Sequence, residues 1–186
     1  MKKITILLGS PRKNGNSAVL AEQLAEGARD AGGDVRFFNL HEMGIGPCKG
    51  CGSCQDPPGS GCVLDDGMRE IYQRIIGSDA VVFASPVYWF SVSAQTKTAI
   101  DRLYAVGGGD ANVLGGKEFG VVLTYADADP FVSGAANAVR MFQDISGYLG
   151  VTLRCVVHGS ASEPGEIRSN AGVMEEAREL GRKMAQ

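Results

Sequence analysis

The sequence predicts an α/β protein, built as one five-stranded parallel sheet with helices on both faces. Three observations predict it. Strand-like and helix-like segments alternate from end to end, the order that a parallel sheet with crossover helices requires. The segment from Ala80 to Ala84 is almost wholly apolar, as a strand buried on both faces must be. With 186 residues the chain is long enough for one domain around a single core, and the strand count suits a five-stranded sheet better than the longer six-stranded dinucleotide fold. In such sheets ligands bind at the carboxyl ends of the strands, where the strand order reverses. The loops after the first, third and fourth predicted strands are therefore the places to look.

The first strand is Ile4 to Leu8, a short β-branched-rich run ending at Gly9. It leads into Gly9, Ser10, Pro11, Arg12, Lys13, Asn14, Gly15, Asn16 and Ser17, where a helix opens. A strand that runs through a Gly/Ser/Asn loop into a helix makes an anion site, because free backbone N–H groups and the positive helix end converge there. Ser10, Asn14, Asn16 and Ser17 add neutral donors and Arg12 a charged fork. The spacing is not that of a P-loop: five residues separate Gly9 from Gly15, and Asn16 stands where Lys belongs. Nor is it a dinucleotide fingerprint, since the glycines are too far apart and Asn39 replaces the acid. A phosphomonoester fits better.

The first helix, Ser17 to Ala31, carries Val19, Leu20, Leu24 and Ala28 at helical spacing and stops at Gly32 and Gly33. Asp34 to Leu40 reads as the second strand. Between it and the helix predicted over Gly67 to Ile76 lies a loop insertion at about 43–66 without apolar periodicity, and loops of that length in a compact domain are usually functional. Inside it Cys48, Cys51 and Cys54 follow one another with two residues between each, and Cys62 comes seven residues later. Each step returns the next thiolate to the same side of the turn, so three can wrap one metal centre and the fourth can close it. Small Gly50, Gly52 and Ser53 let the backbone approach closely. Compact runs of this kind hold iron–sulfur clusters. A zinc site prefers two separated pairs, and CxxC redox thiols would also suit Cys48 with Cys51, or Cys51 with Cys54.

The third strand runs straight into Ser85, Pro86, Val87, Tyr88, Trp89, Phe90 and Ser91. Three consecutive aromatics at the carboxyl end of a strand cannot all be core. They suit the covering of a flat conjugated ring, a dimer contact, or both. Lys97, Asp101 and Arg102 follow on the helix predicted over Ala94 to Tyr104, either as a solvated face with Lys97 and Asp101 paired or as groups that shape the site. The fourth and fifth strands are Glu118 to Thr124 and Val151 to Val157, with helices near Ser133 to Leu149 and Ala171 to Met184. Cys155 sits mid-strand and reads as core. His41 and His158 end strands without partners for a nucleophilic triad and read as structural.

Composition narrows the function further. Hydrophobic residues are 44% and charged residues 21%, ordinary for a soluble globular protein, and the net charge of -3 gives no case for nucleic acid or an anionic membrane. The first apolar run is too short for a signal peptide or a membrane span, so a cytoplasmic location is expected, where five cysteines do not read as a disulfide framework.

The GSPRKNGNS loop from Gly9 to Ser17, the SPVYW run from Ser85 to Trp89 and the later Lys97, Asp101 and Arg102 together resemble the NADPH-dependent FMN reductase group of flavodoxin-like proteins. The resemblance implies a flavodoxin-like three-layer sandwich that binds FMN. Its phosphate would lie on Ser10, Arg12, Asn16 and Ser17, and its ring and ribityl chain against Pro86, Val87, Tyr88, Trp89 and Phe90. Thr124 and Tyr125 follow the fourth strand where the group often has a glycine soon after Thr, and Tyr125 and Asp127 could lie by the ring. The cysteine segment is similar to the compact motif of iron-sulfur flavoproteins, which implies a [4Fe-4S] cluster on Cys48, Cys51, Cys54 and Cys62 that passes electrons to FMN. Two activities follow from the resemblance: electron transfer from a ferredoxin-like donor to a small-molecule acceptor, or NAD(P)H-dependent reduction of flavins or quinones with the cysteines as bystanders. A homodimer or homotetramer is implied as well.

Overall fold

The structure is a computed structural model that describes the backbone of residues 1–186 and every side chain except that of residue 111. Its main sheet contains β1 (Lys3–Leu8), β2 (Asp34–Asn39), β3 (Ala80–Tyr88), β5 (Glu118–Tyr125) and β6 (Thr152–Ser160), in the order β2-β1-β3-β5-β6 and all parallel. The chain leaves β1 in one direction and returns past it to β3, so the strand order reverses between these two. A sixth strand, β4 (Ser91–Val92), folds back antiparallel on the end of β3. It was not expected, and it makes a two-residue hairpin out of the aromatic run.

Alternation along the strands sends side chains to two cores. On one face Ile4, Ile6, Val82 and Ala84 pack against α1 (Asn16–Asp30) and α6 (Ala171–Met184). On the other, Leu7, Val81 and Phe83 meet α2 (Met68–Ile76), α3 (Ala94–Arg102) and α5 (Ala135–Leu149). Phe83 lies at the centre of that second core, with the rings of Phe119 and Phe142 at 5.1 and 5.0 Å. Each fully buried side chain of this size contributes about 1.5–3 kcal/mol. Helices α1 and α6 touch backbone to backbone: a Cβ at Gly27 would lie 1.9 Å from the Arg178 carbonyl oxygen, and one at Gly181 1.9 Å from that of Leu24. No larger residue allows that crossing.

Several boundaries differ from the sequence reading, each for a local reason. Strand β3 continues beyond Ala84 to Tyr88 because β5 goes on pairing with it, up to Pro86 opposite Thr124. Strand β6 runs on to Ser160 opposite Tyr125, past the end of its apolar run. Helix α3 ends at Arg102, and Tyr104 begins a separate short helix, α4 (Tyr104–Gly107). Helix α5 starts at Ala135 because Gly134 is left-handed, with φ +80°. No helix is long and apolar enough to cross a membrane among the described residues.

Candidate functional site

At the switch point the loop after β1 is pinned from both sides. The Gly9 amide donates to the Ala84 carbonyl at 2.8 Å, and the Ser93 hydroxyl donates to the Gly9 carbonyl at 2.7 Å. A Cβ on Gly9 would meet Thr96 Oγ1 at 1.8 Å, so only glycine brings β1 this close to α3. The Arg12 amide donates to Ser10 Oγ at 3.1 Å and the Gly15 amide to the Arg12 carbonyl at 3.0 Å, which curls the loop over the start of α1. Gly15 caps that helix without a side chain, so the Asn16 and Ser17 amides are left for an anion, while that of Ala18 donates to the Gly15 carbonyl at 3.0 Å. Arg12 is exposed and forms no ion pair among the described residues.

A cavity of about 290 Å³ lies above this loop. It brings together Ser10, Arg12, Asn16 and Ser17 with Pro86, Val87 and Tyr88 from β3, and with Thr124 and Tyr125 from β5. Asn14 does not line it; that side chain stands exposed on the outside of the loop. Asn16 lines the cavity, but its carboxamide is engaged elsewhere. It donates to the carbonyls of Ala161 and Glu163 at 3.2 and 2.9 Å and accepts from the Ile167 amide, tying the loop after β6 to the start of α1. What Asn16 offers an anion is therefore its backbone amide. Gly15, Ala126, Ala161 and Ser162 also line the cavity and were missed. The Ser-rich stretch after the last strand was the available signal, but β6 was read as ending three residues too early for its loop to reach the site.

Trp89 and Phe90 lie beyond that cavity, on an adjoining one of about 430 Å³ that shares Val87 and Tyr88 and includes Asp127 and Ser133. They form the turn between β3 and β4 with φ +49° and +63°. Two positive φ values are the mark of the tight hairpin turn that usually takes Asn-Gly, and for bulky residues each costs about 1–3 kcal/mol. The turn is held from outside. The Asn137 side chain donates to the Phe90 carbonyl at 3.4 Å, and Gly134 leaves no room for a Cβ, which would lie 2.4 Å from Phe90 Cα. All three aromatics face solvent, Trp89 at 93%, with Phe131 beside them at 82%. Tyr125 is buried, its hydroxyl 3.0 Å from His158 Nδ1; burial, then the charge of Asp129, pushes the phenol up from its ordinary range. His158 thus backs the cavity wall as a structural partner.

The loop over residues 43–66 contains no helix or strand and packs over α3 and α4. Cys48, Cys51, Cys54 and Cys62 line a single cavity of about 180 Å³, with Cys48 and Cys51 exposed and Cys54 and Cys62 half-buried. Gly50 and Gly52 have φ +62° and +74°, which turns backbone amides toward the sulfurs. The Gly50 amide donates to Cys48 Sγ at 3.4 Å, and backbone and side-chain hydrogen bonds from Ser53 hold the Cys51 thiol below its ordinary range. Among the described residues no three His, Cys, Asp or Glu side chains converge on one point as ligands of a single ion would. A four-iron cubane asks for a different arrangement, since each thiolate binds a different iron and the four ring one cavity. Four cysteines lining one cavity, the Gly50 amide on Cys48 and the glycine-rich backbone fit that group. Cys155 is core, 3.3 Å from the Met184 sulfur, and burial pushes its thiol up to about 12.

A parallel sheet with an anion-binding first loop and an aromatic tip at its switch point defines a flavodoxin-like protein. The profile of the NADPH-dependent FMN reductase family matches residues 2–154. An iron-sulfur flavoprotein of Archaeoglobus fulgidus is 32% identical across 100% of this chain and 80% of its own length. A second iron-sulfur flavoprotein, from Methanocaldococcus jannaschii, is 28% identical across 99% of this chain and 96% of its own. In fold, the chain superposes on the NAD(P)H:quinone oxidoreductase from Methanothermobacter marburgensis with a TM-score of 0.78 at 19% identity, covering 100% and 96% of the two chains. The chain belongs to the NADPH-dependent FMN reductase family, in the group that includes the iron-sulfur flavoproteins, and is a flavin-dependent oxidoreductase.

Proposed function

We propose that this is a cytoplasmic electron-transfer flavoprotein in which Cys48, Cys51, Cys54 and Cys62 hold a [4Fe-4S] cluster and the switch-point cavities hold FMN. When bound, the cluster supplies one-electron transfer, and the flavin exchanges one or two electrons with a donor or acceptor. The observation that carries the reading is that the four cysteines line one cavity. The chain's own residues have separable tasks. The loop from Ser10 to Ser17 takes the flavin phosphate on backbone amides, with Arg12 supplying charge. Val87 and Tyr88, shared by both cavities, pass the ligand from the phosphate side to the aromatic tip, and Tyr125 closes the inner wall. Gly50 and Ser53 offer N–H groups to thiolate sulfur, which stabilises the deprotonated ligands.

Anaerobic purification with iron, acid-labile sulfide and FMN measured on one sample tests this. About four irons and four sulfides per chain beside FMN are expected. FMN without iron would replace the reading with the second one, NAD(P)H-dependent reduction of a flavin or quinone, which the family match favours. Donor assays separate the two further: a ferredoxin-like protein is the expected donor in the first, NAD(P)H in the second.

The same reading includes a homodimer or homotetramer. Tyr88, Trp89 and Phe90 at the second cavity, and Phe131 and Val132 on the loop before α5, are apolar residues left in solvent, of the kind that marks an association surface. Sedimentation should show a multimer that Trp89→Ser combined with Phe131→Ser shifts toward monomer. A wild-type monomer at micromolar concentration would remove this part of the proposal.

A further inference from the structure

Arg102 does not stand on the solvated face that its neighbours occupy. Lys97 and Asp101 pair with each other in solvent at 2.6 Å, but the Arg102 side chain is 1% exposed. Its Nη1 donates to the Gly46 carbonyl at 2.9 Å and to Asp66 Oδ2 at 2.6 Å, and its Nη2 to Asp66 Oδ1 at 3.2 Å. Asp66 in turn accepts from the amides of Gly46 and Met68 at 3.1 and 3.0 Å. Gly46 and Asp66 lie just outside the first and last cysteines, so one guanidinium joins the two ends of the cysteine loop. At the same place Gly67 packs on Met43, where a Cβ would lie 2.4 Å from the Met43 carbonyl oxygen.

Cys62 and Tyr72 border one cavity at this junction. The Tyr72 hydroxyl donates its one proton to the Arg102 carbonyl at 2.8 Å, which ties α2 to the end of α3. Arg102 Nε is buried and has no partner among the described residues. A buried donor without an acceptor is costly and uncommon.

We propose that Arg102 is the positioning residue that shuts the cysteine loop and thereby sets where Cys62 stands. The proposal rests on the reading of the four cysteines as cluster ligands. Closing the loop on a buried ion pair fixes the distance between the run Cys48, Cys51, Cys54 and the isolated Cys62, which sequence spacing alone leaves open.

The test uses the full chain, purified anaerobically, as wild type, Arg102→Met, Arg102→Lys and Asp66→Asn. Arg102→Met is expected to lose most of its iron while keeping FMN, and Arg102→Lys to recover much of it. In chelator-treated, iron-free protein, iodoacetamide should modify Cys62 about tenfold or more faster in Arg102→Met than in wild type, since local opening no longer breaks a buried pair. The rates at the exposed Cys48 and Cys51 should not change. Asp66→Asn, which weakens the same clamp and keeps the guanidinium, should shift iron content and Cys62 modification in the same direction by a smaller factor. Wild-type iron content with slow Cys62 modification in Arg102→Met would overturn the positioning role. If that variant does not fold, wild-type iron content and a wild-type Cys62 modification rate in Asp66→Asn overturn it. If the wild type itself binds no iron, the cluster reading fails, and the modification rates still decide whether Arg102 closes the loop.

Discussion

Cys51→Ala is expected to strip the protein of iron and leave its flavin in place. Cys51 is the middle thiol of the compact run, it lines the same cavity as the other three, and its place beside Ser53 holds its thiol below the ordinary range. A cluster deprived of that ligand has no replacement in the loop, because the fifth cysteine, Cys155, is buried between β6 and α6. The sheet should not notice the change. Cys51 is exposed, and the loop that carries it contributes no strand or helix. Iron and sulfide should fall to background while FMN per chain stays at the wild-type value. Iron at the wild-type level in this variant would show that the four cysteines are not the ligand set, and would move the function toward NAD(P)H-dependent reduction.

The separation of cluster loop from flavin cavities explains why some of this site could be read from the sequence and some could not. The first loop is legible because a strand, a Gly/Ser/Asn turn and a helix start are all local features, and local features set where backbone amides point. The cysteine run is legible for the same reason. The Trp89–Phe90 turn is not, because its residues have the wrong propensity for positive φ. Contacts with Gly134 and Asn137, far along the chain, impose it. The sequence leaves Arg102 open between a solvated face and a role in shaping the site, because its neighbours Lys97 and Asp101 truly are surface charges. Its partner Asp66 is 36 residues away, and nothing in helical spacing reveals that pairing. Asn16 follows the same rule: its position at the helix start is local, but the carbonyls that engage its side chain are 145 and 147 residues distant.

Loss of either Arg12 or Ser17 as alanine is expected to weaken FMN binding by about 1–3 kcal/mol, the range for a hydrogen bond to a charged group, or roughly 5- to 150-fold. The two variants should differ in character. Arg12 is exposed and has no competing carboxylate among the described residues, so its charge acts through solvent on a phosphate carrying about −1.5 to −2 at pH 7. That contribution should shrink as salt is raised, because exposed charges are screened over about 8 Å at physiological ionic strength. Ser17 is 1% exposed and offers a neutral hydroxyl in the first turn of α1, so its contribution should be nearly independent of salt. Fluorescence titration of the apoprotein with FMN at low and high salt separates the two. Both losses, salt-dependent for Arg12 and salt-independent for Ser17, would place the phosphate between the loop and the helix start. Unchanged affinity in both variants would mean that the flavin phosphate lies elsewhere, and that the anion site after β1 serves another ligand.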